Sequence, residues 1–313
     1  MKKVFIDGRA GTTGLRIYER LAARADIQML TLPEERRKDP GARREMLNRA
    51  DVVFLCLPDD AAREAVQMIE GNQTVVLDTS TAHRTAPGWC YGFPELSSAQ
   101  AEAIRSAKRI AVPGCHASGF IALVAPLIQA GILPKEALLS CHSVTGYSGG
   151  GKKMIAEYEG QNPPALLGAP RQYALGQSHK HLKEMTALSG LAVPPVFCPI
   201  VADFYSGMAV TVPVFRQQLA AGVSLDDLKK IYQRQYQGPV VFWREYPDEE
   251  GFFSASALSG SDRMEISIMG NEERILLLAR YDNLGKGASG AALECLNRVM
   301  GLPAETGLEV SPR

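Results

Sequence analysis

Up to Ala130, short apolar runs alternate with stretches whose apolar residues recur every three or four positions. Lys3–Ile6 reads as a strand, and Leu15, Tyr18, Leu21 and Ala25 follow at helical spacing. Val52–Leu57 is a continuous apolar run, the pattern of a strand buried on both faces. Pro58 ends it, and Ala62, Ala65, Val66 and Ile69 form one helical stripe. Val75–Leu77 and Ile110–Val112 read as further strands, and a helix is expected from about Ala117 to Ala130. This alternation predicts a parallel sheet with helices on both faces.

The second half reads differently. Met208–Val212, Ile266–Ile268 and Arg274–Tyr281 are β-prone with few helices between them, which predicts an antiparallel or mixed sheet. One helix is expected near His179 and another after Ser224, an N-cap with Asp227 three residues on. Gln161–Tyr173 carries three prolines and little periodicity, and reads as an ordered loop over the site or an interface. A last helix over about Ala288–Val299 has Ala292, Cys295, Leu296 and Val299 on one face.

At 313 residues the chain has room for two domains. Thirty-four basic residues balance thirty-four acidic ones, which argues against nucleic acid or an anionic membrane as partner. No apolar run approaches the roughly 20 residues that span a bilayer. The N-terminus enters a strand directly, without an apolar signal segment, so a cytoplasmic location is expected. The six cysteines form no CxxC pair, and no metal site is expected. Cys56, Cys198 and Cys295 lie among apolar residues and read as small buried hydrophobes.

Between the first strand and first helix stands GRAGTTG, with Gly8, Gly11 and Gly14. Its GxxGxxG spacing differs from the commoner GxGxxG, but its position is that of a dinucleotide-binding turn. There Gly8, Gly11, Thr12, Thr13 and Gly14 would let backbone approach a pyrophosphate at a helix N-terminus. The end of the second strand selects between NAD and NADP. Arg36 and Arg37 there fit the 2′-phosphate of NADP, while Glu34 or Glu35 would suit a 2′-hydroxyl. The reading favours NADP.

In Val112-Pro-Gly-Cys-His-Ala-Ser-Gly119 a strand ends, a turn follows, and Cys115 opens a helix. A helix N-terminus favours a thiolate and offers free N–H groups to an oxyanion. A structural cysteine would more naturally lie within the helix, on its apolar face. A cysteine nucleophile beside a nicotinamide points to a thioester that accepts hydride, that is, acyl-to-aldehyde interconversion.

Such chemistry needs a proton partner. His179-Lys180-His181, with Glu184 close behind, offers a base, an anion-binding group and an orienter. His116 adjoins the nucleophile but neighbouring helical side chains diverge. His83 follows a strand near the cofactor edge, and His142 reads as structural.

GRAGTTG, LDTSTAHR, GFPEL, VPGCHASG, GYSGGGK, SHKH and NLGKGASGAA occur in this order. Together they resemble the N-acetyl-gamma-glutamyl-phosphate reductases of arginine biosynthesis, in their shorter form. The resemblance covers nearly the whole chain. It implies reduction of N-acetyl-glutamyl 5-phosphate by NADPH and a fold like that of aspartate-semialdehyde dehydrogenase. That fold is α/β: a Rossmann-like doubly wound parallel sheet, then an α+β domain with a mixed sheet. The last helix returns to the first domain. The expected domains are 1–116, completed by about 286–313, and 117–285. A homo-oligomer, dimer or tetramer, is implied as well.

By the same resemblance Cys115 matches the nucleophile and His179 and His181 the His-x-His pair. Asn283, Lys286 and Gly287 fall in a segment expected near the nicotinamide. Lys152, Lys180 and Arg84 are candidates to hold phosphate or substrate carboxylates. The longer form has tyrosine and proline where this chain has His116 and Ala117. Rival readings are a related acyl-phosphate reductase, and a nucleotide sensor on the same fold that would not need Cys115 at a helix mouth.

Overall fold

The structure, a computed structural model, describes residues 1–247 and 249–311. The chain divides into two compact units. The first comprises Met1–Pro94, Ala99–Pro113 and Ala291–Gly307. The second comprises Glu95–Ser98, Gly114–Gly290 and the described residues from Leu308.

In chain order the first unit runs β1 (Lys2–Asp7), α1 (Thr12–Ala22), β2 (Ile27–Leu30), α2 (Pro40–Arg49) and β3 (Val52–Leu55). It continues with α3 (Asp59–Gln67), β4 (Val75–Asp78), β5 (Cys90–Tyr91), α4 (Ser98–Ser106) and β6 (Arg109–Ala111). The strands form one sheet in the order β2-β1-β3-β4-β6-β5, parallel throughout. All four residues of β3 are buried, as its apolar run predicts for a central parallel strand. Val53, Leu55, Leu47, Ala62, Ala65 and Val76 share one core cluster. Each such aliphatic side chain contributes on the order of 1.5–3 kcal/mol when fully buried.

The buried stripe of α1 differs from the one expected. Leu15 is exposed, while Gly14, Ile17 and Leu21 face inward. A Cβ on Gly14 would come 2.7 Å from the Gly8 carbonyl oxygen, so the helix backs onto the turn through this glycine. A glycine adds nothing to a hydrophobic pattern, and the stripe was therefore centred on the wrong residues. Ala25 lies beyond the helix.

The second unit holds α5 (Cys115–Gln129), β7 (Ser140–Gly146), α6 (Gly151–Tyr158), β8 (Arg171–Gln172), α7 (His181–Ser189) and β9 (Val196–Ala202). Then come β10 (Met208–Phe215), α8 (Leu225–Gln235), β11 (Val241–Trp243), β12 (Met264–Gly270) and β13 (Arg274–Tyr281). Its sheet has the order β11-β12-β13-β10-β7-β9-β8. It is mixed: β10 runs antiparallel to β13 and β7, whereas β7 and β9 are parallel. A π-helical turn, Gly285–Ser289, leads into α9 (Gly290–Val299), so the helix expected over about Ala288–Val299 is α-helical from Gly290. Residues Ala291–Gly307 group with the first unit, where Asn297 accepts a 2.7 Å hydrogen bond from Arg24.

The capping box at Ser224 is as expected: its hydroxyl accepts from the Asp227 N–H, and the Asp227 carboxylate accepts from the Ser224 N–H. Helix α6 escaped the pattern because it grows out of GYSGGGK, whose glycines read as loop. The Gln161–Tyr173 stretch contains a 3₁₀ turn at Ala165–Gly168 and the edge strand β8. His142 is exposed rather than buried, on the outer face of β7.

Candidate active site

In the first unit, β1 ends in a turn that only glycine can make. Gly8 has φ of +88°, and a Cβ there would lie 2.2 Å from the Cys56 carbonyl oxygen. The chain then enters α1 with Gly11 as N-cap and Thr12 and Thr13 as its first residues. No side chain caps this end through Gly11, so first-turn N–H groups are left for an anion. Beside it lies a cavity of about 360 Å³ whose lining includes Gly8, Arg9, Tyr18, Leu32, Arg37 and Lys38. These features fit a dinucleotide: a backbone cradle for the pyrophosphate and an apolar chamber with a cationic rim.

Arg37 lines this cavity and its guanidinium also pairs with Glu34. Arg36 does not line it; its guanidinium lies 3.8 Å from Asp39. The 3₁₀ turn at Glu34–Arg36 points successive side chains to different sides, which sequence spacing could not settle. Arg9 was missed. It sits inside the glycine motif, with its guanidinium 4.6 Å from the centre of the Tyr18 ring. Arg84, expected to hold substrate, donates to the backbone carbonyls of Val112 and Thr79, each at 3.0 Å, tying two strand ends together. His83 places Nδ1 2.6 Å from the buried Asp78 carboxylate and stacks on Trp89 at 4.0 Å.

In the second unit Cys115 is the first residue of α5. The Gly114 N–H, one residue before it, donates to the Glu184 carboxylate at 2.8 Å. Glu184 is buried on α7, three residues after His181, so this bond brings the start of α7 to the head of α5. A Cβ on Gly287 would lie 3.1 Å from the Cys115 Cβ, so the π-turn closes directly on the cysteine. The same Cβ would also lie 3.1 Å from the Asp282 carbonyl oxygen, so both neighbours call for glycine. Asn283 and Lys286 have other partners. The Asn283 amide accepts from the Gly207 N–H and donates to the Ser148 hydroxyl; the buried Lys286 ammonium lies 2.8 Å from both oxygens of Glu95.

Three imidazoles gather at this helix head. The ring centre of His116 lies 5.8 Å from that of His179 and 5.6 Å from that of His181, and the last two are 4.8 Å apart. Both nitrogens of His116 are engaged, Nδ1 with Ser143 and Nε2 with Tyr173, each at 2.7 Å. Burial pushes His116 down to about 3, with His179 and Lys180 adding to the effect. Burial, and then Lys180, pushes His179 down to about 4. The His181 N–H donates to Nδ1 of His179 at 3.2 Å, which leaves the proton of the neutral ring on Nε2. Tyr173 ends the stretch expected as a loop over the site or an interface, but nothing in the sequence singles out its bond to His116. Lys152, in the first turn of α6, and Lys180, just before α7, are exposed.

The neutral histidines set an expected pH dependence of stability. An unfolded imidazole takes a proton near pH 6.5. In the fold His179 stays neutral down to about 4 and His116 down to about 3. Between these limits the unfolded chain binds more protons, so stability falls as pH falls from about 6.5 toward 4 and below. Urea midpoints measured across that range should decline less steeply in His116→Asn than in the unaltered protein. Equal slopes would show that this ring carries no such penalty.

Comparison with known proteins follows the same division. The family model described as semialdehyde dehydrogenase, NAD binding domain, matches residues 38–106. That described as semialdehyde dehydrogenase, dimerisation domain, matches residues 115–283. The chain is similar to N-acetyl-gamma-glutamyl-phosphate reductase 2 of Nostoc sp., 45% identical over 319 residues, covering 98% of this chain and 99% of that one. It is also similar to N-acetyl-gamma-glutamyl-phosphate reductase of Rhizobium meliloti, 45% identical over 305 residues, covering 95% and 98%. Its fold is that of aspartate semialdehyde dehydrogenase with NADP from Candida albicans, at a TM-score of 0.64 and 13% identity over 98% of this chain and 100% of that one. With this identity over almost all of both sequences, the chain belongs to the N-acetyl-gamma-glutamyl-phosphate reductase family.

Proposed function

We propose that this protein reduces N-acetyl-L-glutamyl 5-phosphate to N-acetyl-L-glutamate 5-semialdehyde and phosphate with NADPH, a step of arginine biosynthesis. The observation that carries the proposal is Cys115 at the first residue of α5, with His179 and His181 gathered at the same helix head. The cofactor, when bound, supplies the hydride.

His181 takes the thiol proton, and Cys115 Sγ attacks the acyl carbon. The tetrahedral oxyanion lies at the head of α5, where first-turn N–H groups lack helical partners. The carbon–oxygen bond to phosphate breaks, His181 returns its proton to the departing phosphate, and a thioester remains on Cys115. Addition of hydride to that carbon gives a second oxyanion in the same place. Its collapse breaks the carbon–sulfur bond, frees the aldehyde and restores the thiolate. One proton is consumed overall. His181 is assigned the proton because it is the first residue of α7, the helix whose Glu184 holds the peptide immediately before Cys115. Lys152 and Lys180 are exposed cations near helix starts of this unit, suited to the substrate's carboxylate and phosphate.

Cys115→Ala should abolish turnover yet leave NADPH binding intact; a residual rate above about a hundredth of normal, a typical general acid–base loss, would rule out the covalent route. His181→Asn should cut the rate by about 10²–10⁴ and flatten one limb of the pH–rate profile. His179→Asn should change substrate affinity more than the profile, and the opposite pattern would exchange the two roles.

For the cofactor, Arg9, Arg37 and Lys38 are assigned to the 2′-phosphate of NADP, since these cations line the cavity beside the glycine turn. A charge-assisted hydrogen bond is worth roughly 1.5–3 kcal/mol. Arg9→Ala or Arg37→Ala should therefore weaken NADPH about tenfold or more and leave NADH unchanged, by titration of nucleotide fluorescence. Arg36→Ala should change neither. Equal loss of both nucleotides would make these arginines structural.

The protein is further proposed to self-associate through the outer face of its second sheet. Val196, Cys198, Val144, Pro213 and Leu276 stand together there by strand register, exposed or half-exposed. The matching family model is named for dimerisation. Sedimentation should give at least a dimer, and Val196→Asp with Leu276→Asp should shift it toward monomer. A monomeric unaltered protein would overturn this.

A further inference from the structure

We propose that Tyr281 is a positioning residue for the nucleophile, its hydroxyl fixing the Cys115 peptide at the head of α5. This rests on the reading of Cys115 as the nucleophile. Tyr281 is the last residue of β13 and is fully buried. Its hydroxyl donates to the Cys115 carbonyl oxygen and accepts from the Gly119 N–H at 3.0 Å. Those two backbone groups, four residues apart, are the acceptor and donor of the helix's first full turn from Cys115. One phenol therefore spans the turn that carries the thiol.

The helix is built to admit it. A Cβ on Gly119 would come 2.8 Å from the Tyr281 hydroxyl and 2.9 Å from its ring. Glycine is unfavourable in a helix interior, and here it is the residue that lets the phenol reach the backbone. The chain beyond Tyr281 then returns to the same cysteine, where Gly287 closes on the Cys115 Cβ. The end of β13 and its following turn thus hold Cys115 from the carbonyl side and from the side-chain side.

A donor on the Cys115 carbonyl polarises the peptide bond shared with His116. The N–H of that bond is one of the first-turn donors without a helical acceptor. Burial, and then the nearby Cys115, holds the Tyr281 phenol well above its usual range, so it acts as a fixed donor and not as a proton shuttle. Its contribution is geometric, and reaction rate is steeply sensitive to the placement of a reacting atom.

The test uses the reverse reaction without phosphate. N-acetyl-glutamate semialdehyde and NADP should give a single burst of NADPH and leave an acyl group on Cys115, seen by mass spectrometry. Tyr281→Phe keeps the ring and removes both hydrogen bonds. Its burst should be about tenfold slower, as expected for loss of hydrogen bonds of ordinary strength, with unchanged amplitude and unchanged aldehyde KM. The pH midpoint for alkylation of Cys115 by iodoacetamide should rise. A burst at the unaltered rate with an unmoved midpoint overturns the positioning role alone. Absence of any acyl group on Cys115 in the unaltered protein overturns the covalent reading, and this proposal with it. Should Tyr281→Phe not fold, Gly119→Ala crowds the same hydroxyl; its Cβ would also lie 2.8 Å from Val210 Cγ2, so it is combined with Val210→Ala and read against Val210→Ala alone by the same burst, with the same two outcomes.

Discussion

The second unit depends on one junction, the point where α5 begins. Its first residue, Cys115, is the proposed nucleophile, and the helix behind it is buried along almost its whole length, from His116 to Leu127. A helix so enclosed cannot adjust its own start. The start is instead fixed from outside: by Glu184 on the preceding N–H, by Tyr281 on the carbonyl, and by Gly287 against the side chain. Each of these comes from a distant part of the chain. The free N–H groups of the first turn are aimed as a result, and that aim is what the proposed chemistry uses.

The same burial acts on the imidazoles gathered there. A charged ring is costly in a low-dielectric interior, so His116 is held neutral and spends both nitrogens on Ser143 and Tyr173. His179 is also held neutral, with its Nδ1 closing the turn into α7. Two of the three rings are thus held neutral by burial, and both have a nitrogen engaged within the fold. Tyr173 joins the cluster from the segment between β8 and α7, where Ala174 and Gln177 adopt left-handed φ of 52°. Such conformations persist only where surrounding contacts enforce them. Gln177 supplies such contacts, bonding both the N–H and the carbonyl of Phe197.

In the nucleotide unit the division of labour is different. The glycine turn is a local device: φ of +88° at Gly8 and the close carbonyl of Cys56 demand glycine whatever the rest of the chain does. The reading of the cationic rim is not local. Arg36 and Arg37 are adjacent in sequence, yet one lies on Asp39 and the other on the cavity wall. Arg9 joins that wall because α1 carries Tyr18 beneath its guanidinium. An arginine inside a glycine motif gives no sign of this by itself.

What the sequence by itself determined are the features that short-range physics enforces. The apolar run of β3 required a central parallel strand, the Ser224–Asp227 pair required a helix start, and Pro-Gly-Cys before an apolar helix required a thiol at its mouth. The order of the motifs carries the family's signature without any tertiary contact. Tertiary structure alone decided which polar side chains are available. Arg84, Asn283 and Lys286, offered by charge or by the resemblance as ligand-binding groups, each also hold partners within the fold that the sequence does not show. Tyr281 ends an apolar strand and shows nothing of its role until the sheet sets its hydroxyl against the backbone of α5. A side chain's partners lie far off along the chain, and only packing determines which polar groups meet.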